Sequence, residues 1–202
     1  CALPISDLHW MRRMADYTRD ENLADAGQLA AMLRAIYECP KPTIARVQGD
    51  VFAGGVGLVA ACDMAISVDT ATYCLSEVKL GLIPAMGGTA TLARHLPRAI
   101  AAEMLLTGEP IDAERALAAG FVNRVVEGPS LEAAKELARA VAANGPLALI
   151  ASKAIIRDSH TWSNEEMWQK QASYIAPVFT SSDAREGAAA FAEKRKPNWQ
   201  GK

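Results

Sequence analysis

Two features of this sequence could do chemistry, the glycine pair Gly54-Gly55 and the glutamate Glu77. The pair sits between a β-rich run, Thr43 to Gln48, and an apolar run, Val56 to Cys62, that reads as a buried helix. A strand, a glycine turn and a helix start in that order leave bare backbone N–H groups at a positive helix end. Glycine also lets a ligand come close to the backbone. Such a loop can hold an anion, or an atom that becomes anionic during a reaction. A tight packing turn would use the same residues, and a glycine pair alone does not separate the two. Glu77 follows a short β-capable run and precedes the apolar stretch Leu80 to Ile83. A carboxyl in apolar surroundings holds its proton to higher pH, which suits proton transfer near neutrality. The ordinary alternative for a single glutamate is a solvated surface residue.

The elements that must position these residues can be read from periodicity and punctuation. Asp7 can cap a short first helix through Leu8, Trp10, Met11 and Met14. A longer helix is expected from about Glu21 to Glu38, stopped by Pro40 and Pro42. Strands are expected at Thr43–Gln48, Met64–Val68, Thr72–Leu75 and Val122–Val126. A second glycine pair, Gly87-Gly88, is expected to open a helix through Thr89, Leu92 and Leu96, with the next at Arg98–Leu106. Asp112 caps a short helix ending at Gly120. After Ser130 only helices are expected: Leu131–Asn144, Pro146–Ser159, Ser163–Thr180 and Ser182–Lys196. Strands alternating with helices, followed by helices alone, predict an α/β core with a helical C-terminal appendage. The division is drawn at residues 1–128 and 129–202.

Composition excludes several classes. The 202 residues carry a formal net charge of −2, and no basic block suits a nucleic-acid backbone. No apolar run approaches the roughly 20 residues needed to span a bilayer, so no membrane partner is expected. Cys1, Cys39, Cys62 and Cys74 are scattered, and no Cys/His spacing suggests a metal site. The expected setting is a reduced, cytoplasmic, soluble protein. The abrupt opening Cys1-Ala2-Leu3-Pro4, without an initiator Met, leads us to expect a piece of a longer protein.

The motifs then carry a resemblance. Pro42 to Gly49, Gly54-Gly55, Leu58, Cys62-Asp63, the run Ser76 to Pro84, Gly87-Gly88-Thr89, Leu106-Thr107-Gly108 and the tail Phe191 to Pro197 occur in order. Together they resemble the enoyl-CoA hydratase/isomerase (crotonase) family. The resemblance implies a crotonase-like ββα spiral core, here lacking its first strands, and C-terminal helices that pack between subunits of a homotrimer or dimer of trimers. It implies an acyl-CoA thioester as substrate, with coenzyme A entering as part of it and no separate cofactor.

The resemblance also assigns roles. Gly54 falls where the family donates a backbone N–H to the thioester oxygen, and Ser6 where a second donor sits, although the glycine that usually precedes that donor is missing. Glu77 matches one of the two acid/base glutamates of the hydratases. The other position, three residues after Gly54, is Gly57 here. Asp7, Leu8, Trp10, Gly55, Gly57, Pro84 and Gly87 fall at substrate-binding positions. Trp10, Met11 and Met14 are candidates for the acyl pocket, and Arg12, Arg13, Lys194 and Arg195 for the CoA phosphates. The first third is most similar to 3-methylglutaconyl-CoA hydratase-like members. Three readings follow: hydration of a 2-enoyl-CoA, branched or glutaconyl-type included; double-bond isomerisation by Glu77 alone; or a truncated, silent member.

Overall fold

The structure is a computed structural model, and it describes residues 12–84 and 89–202. Two compact units are present. One comprises the described residues of Cys1–Cys39 with Thr43–Lys135, the other Pro40–Pro42 with Glu136–Lys202.

In the first unit, helix α1 spans Arg19–Tyr37. It starts two residues before Glu21 because Thr18 and Glu21 form a reciprocal cap. The Thr18 N–H donates to the Glu21 carboxylate at 2.8 Å, and the Glu21 N–H donates to the Thr18 hydroxyl at 3.3 Å. The expected helix around Leu8 to Met14 lies mostly outside the described residues.

Strands β1 (Ile44–Val47), β2 (Val51–Phe52), β3 (Met64–Val68) and β4 (Thr72–Cys74) follow, with helix α2 (Gly54–Ala61) between β2 and β3. Helices α3 (Leu92–His95) and α4 (Arg98–Thr107), strand β5 (Ile111–Asp112), helix α5 (Ala113–Ala118) and strand β6 (Arg124–Val126) complete this unit's core. Two three-stranded sheets result, ordered β1-β3-β6 and β2-β4-β5. The first is wholly parallel; in the second β2 and β4 are parallel and β5 is antiparallel. Each of the pairs β1–β2 and β3–β4 lays one strand in each sheet before the chain enters a helix. That is the two-strands-and-a-helix winding expected above.

The core explains the sequence runs. Strand β3 is buried from Ala65 to Val68 because it lies between two strand neighbours. Helix α2, apolar on every side, buries six of its eight residues. Tyr73 is fully buried, donates to Ser67 Oγ at 2.8 Å and meets Phe121 edge-on at 5.3 Å. The helix expected to open at Gly87-Gly88 begins only at Leu92, and Gly87 and Gly88 lie outside the described residues.

Helix α6 (Leu131–Ala142) leads to the second unit, which contains α7 (Pro146–Asp158), α8 (Asn164–Phe179) and α9 (Ser182–Ala192). Helix α8 is opened by a Ser163–Glu166 capping box. Helix α9 stops four residues short of the expected Lys196, because Lys194 turns the backbone at φ 54° and the tail folds back. The buried Asp183 carboxylate accepts the N–H groups of Gln200 at 2.7 Å and Gly201 at 2.8 Å. The Trp199 indole donates to the Ala143 carbonyl at 2.8 Å and lies against Gly145 and Gly187. Asp183→Ala strands both tail N–H groups, so it is expected to lower unfolding free energy by about 1.5–3 kcal/mol. Urea denaturation checks this, and a change below about 0.5 kcal/mol would contradict the clamp.

Candidate active site

Strands β2 and β4 run parallel, with Phe52 opposite Cys74. The Ala53 N–H donates to the Cys74 carbonyl at 2.8 Å, extending the ladder one step. Gly54 comes two residues after Phe52, and Glu77 three residues after Cys74. Both therefore emerge from the carboxyl end of one parallel strand pair, where α/β sheets bind ligands.

Gly54 opens α2, so its N–H belongs to the first turn and has no intrahelical acceptor. Among the described residues no backbone acceptor outside the helix meets it either. Ala53, the residue before it, holds φ 50° and ψ −124°, a conformation costly for any residue with a Cβ. That strain sets the direction in which the chain enters α2. No sequence signal marks an alanine for it, apart from its place before a glycine pair.

Glu77 lies in a 3-10 turn, Ser76–Leu80, closed by Gly81 at φ 72°, a conformation that suits glycine. The Leu82 N–H donates to the Glu77 carbonyl at 3.0 Å, and the Lys79 ammonium meets the Glu109 carboxylate at 2.8 Å. These contacts hold the turn from both sides. The Glu77 side chain is half-buried, and its Oε2 is buried without a hydrogen-bond partner among the described residues. Burial pushes its carboxyl above the ordinary value, and a hydrogen bond from its own backbone N–H offsets part of this. A desolvated carboxylate with an open oxygen can take up and return a proton. An unpaired N–H at a helix start can stabilise a developing oxyanion.

The model of the enoyl-CoA hydratase/isomerase family matches residues 10–202. The chain belongs to this family. It is 42% identical over 177 residues to carnitinyl-CoA dehydratase of Proteus mirabilis (strain HI4320), covering 85% of this chain and 68% of that protein. An enoyl-CoA hydratase from Mycobacterium tuberculosis H37Rv is 45% identical with a TM-score of 0.79, over 81% of this chain and 65% of that one. One from Polaromonas sp. JS666 is 30% identical with a TM-score of 0.91, over 96% and 76%. The chain thus spans about two thirds of the length of several of its relatives. The α/β fold with C-terminal helices is that of these hydratase structures.

Within this enoyl-CoA hydratase/isomerase chain, Gly54, Gly55 and Gly57 are buried together in α2. Pro84 lies past the Glu77 turn, and its carbonyl accepts from the Thr89 hydroxyl at 3.1 Å. Ser6, Asp7, Leu8, Trp10, Met11 and Gly87 lie outside the described residues. Arg12 and Arg13 are exposed. Arg195, a candidate for the CoA phosphates, sits in a partly exposed ion-pair network. Its guanidinium is engaged by the carboxylates of Glu186 at 2.6 Å and Glu193 at 2.6 Å. Leu105 and Leu106, absent from the expected site, line an apolar cleft with Val78 and Pro84. Their position at the end of an amphipathic helix gives no hint of it. Among the described residues no cluster of His, Cys, Asp or Glu could hold a metal ion, and no helix is long and apolar enough to cross a membrane.

Proposed function

We propose that this chain carries the active site of an enzyme that hydrates 2-enoyl-CoA thioesters. The Gly54 N–H donates to the thioester oxygen. The ionised Glu77 takes a proton from water as its oxygen attacks C3, and electron density moves to the thioester oxygen as an enolate. Glu77 then returns the proton to C2, so that one water is added. The single observation behind this reading is the shared strand end, with a helix-start N–H leaving β2 and an unpartnered, desolvated carboxylate leaving β4. Dehydration of a 3-hydroxyacyl-CoA is the same reaction reversed, and the dehydratase name of the Proteus relative agrees with it. Coenzyme A enters with the substrate and no separate cofactor takes part. Exposed apolar side chains on the helical unit, Trp168, Phe179 and Phe191 among them, support assembly with further copies of the chain.

Gly57 favours a second reading. It stands where a second carboxylate would help hold the water, and one carboxylate suffices to move a proton between C2 and C4. Two incubations in D2O separate the readings. With a 2-enoyl-CoA, hydration predicts loss of the enoyl absorbance and a 3-hydroxyacyl product. With a 3-enoyl-CoA, isomerisation predicts a deuterated 2-enoyl-CoA and no hydroxyacyl product. Neither product from either thioester would point to a silent member.

A further inference from the structure

A second loop grips the turn that carries Glu77. Gly108, buried just past the end of α4 with φ 64°, packs directly against that turn. A Cβ at Gly108 would stand 3.1 Å from Lys79 Cε, 3.2 Å from Val78 Cγ2 and 3.3 Å from the Leu75 carbonyl oxygen. Leu75 is fully buried and this contact is to its backbone, so it has no room to retreat. The Gly108 carbonyl accepts the Cys74 thiol at 3.3 Å. Burial pushes that thiol up, so it keeps the proton it donates. The next residue, Glu109, holds the Lys79 ammonium at 2.8 Å, and its own N–H donates to the Thr107 hydroxyl at 3.1 Å. The Thr107 hydroxyl in turn donates to the Glu103 carbonyl of α4 at 2.7 Å.

The loop therefore meets Cys74, Leu75, Val78 and Lys79, residues on both sides of Glu77, and ties them to α4. Glu77 Oε2 has no hydrogen-bond partner among the described residues, so the place of this side chain follows from that of the turn's backbone. We propose that Gly108 is a positioning residue for Glu77: its lack of a side chain lets the Thr107–Glu109 loop clamp the turn and fix where the carboxyl stands. A misplacement of about 1 Å at a reacting group can cost about a hundredfold in rate, so a side chain that pushes the turn outward acts on turnover without touching substrate. This rests on the reading of Glu77 as the acid/base group, and deepens it by naming what holds that group in place.

Gly108→Ala and Gly128→Ala, compared side by side, test the clamp. Gly128 also holds a positive φ, 72°, but a Cβ there meets nothing within 4 Å. Both substitutions strain the backbone in the same way, and only the one at 108 presses on the turn. Gly108→Ala should lower kcat for hydration at least about tenfold with KM within about threefold. NMR of the carbon-13-labelled Glu77 carboxyl should show its midpoint falling toward the ordinary 4.5 as the turn opens to water. Gly128→Ala should change neither quantity. Where Gly108→Ala does not fold, Glu109→Lys carries the test, because it sets two cations together on an exposed pair and leaves the core untouched. It should move kcat and the midpoint the same way by a smaller step, and adding Lys79→Glu should restore both. Equal effects of the two glycine substitutions, a folded Gly108→Ala with wild-type kcat and midpoint, or a swapped pair that restores neither would each overturn the proposal. A wild type without turnover whose midpoint still falls in Gly108→Ala would sink the hydratase reading and leave the clamp on Glu77 standing.

Discussion

Glu77→Gln is expected to cut hydration of a 2-enoyl-CoA by about 10²–10⁴-fold, the range for loss of a positioned acid/base group. A glutamine has nearly the same shape but cannot exchange the proton. The wild-type rate should fall on the acid side as Glu77 becomes protonated, with a midpoint above the ordinary value of 4.5. The same substitution should raise stability. Burial raises the folded-state pKa of Glu77, so ionisation opposes folding. Its favourable contribution is complete below the unfolded value and is lost as pH rises through the folded one. The amide that replaces the carboxyl does not ionise, so the variant should melt higher than wild type near pH 7 and lose that advantage near pH 4. Activity lost together with stability at pH 7 would instead mark Glu77 as a structural residue.

Gly54→Pro is expected to reduce turnover by about 10²–10³-fold, the typical effect of deleting one oxyanion donor. Gly54 is the first residue of α2, the helical position that best accepts proline. The change removes the N–H and leaves the helical ladder intact. The neighbouring Ala53 is already in an unusual conformation, so a melting curve must accompany the assay. A folded variant should keep its affinity for a saturated acyl-CoA within severalfold, because the donor matters most when charge has moved onto oxygen. Turnover within about threefold of wild type would remove Gly54 from the mechanism.

Much of the fold was legible because its signals are local. Buried runs such as Met64–Val68 and caps such as Asp112 and Ser163 act within a few residues. The two-residue strand Val51–Phe52 was missed because it exists only through pairing with Thr72–Cys74. The early end of α9 depends on Asp183 and Glu186 holding the tail and on Trp199 of that tail reaching Ala143, contacts that no short window of sequence contains. At the site, motif order singles out Glu77 and Gly54, and the structure places both just past the end of one strand pair. Residue spacing alone left each with an ordinary alternative. The cleft was not legible, because Leu105 and Leu106 reach Val78 only through the tertiary fold.

Enolate formation is the step that the hydratase and isomerase readings share. Incubating the protein with butanoyl-CoA in D2O and following the C2 protons by NMR reads it directly. The account predicts exchange well above the uncatalysed rate, slowed at least about a hundredfold in both Glu77→Gln and Gly54→Pro. Wild-type exchange at the uncatalysed rate, or undiminished exchange in Glu77→Gln, would contradict it.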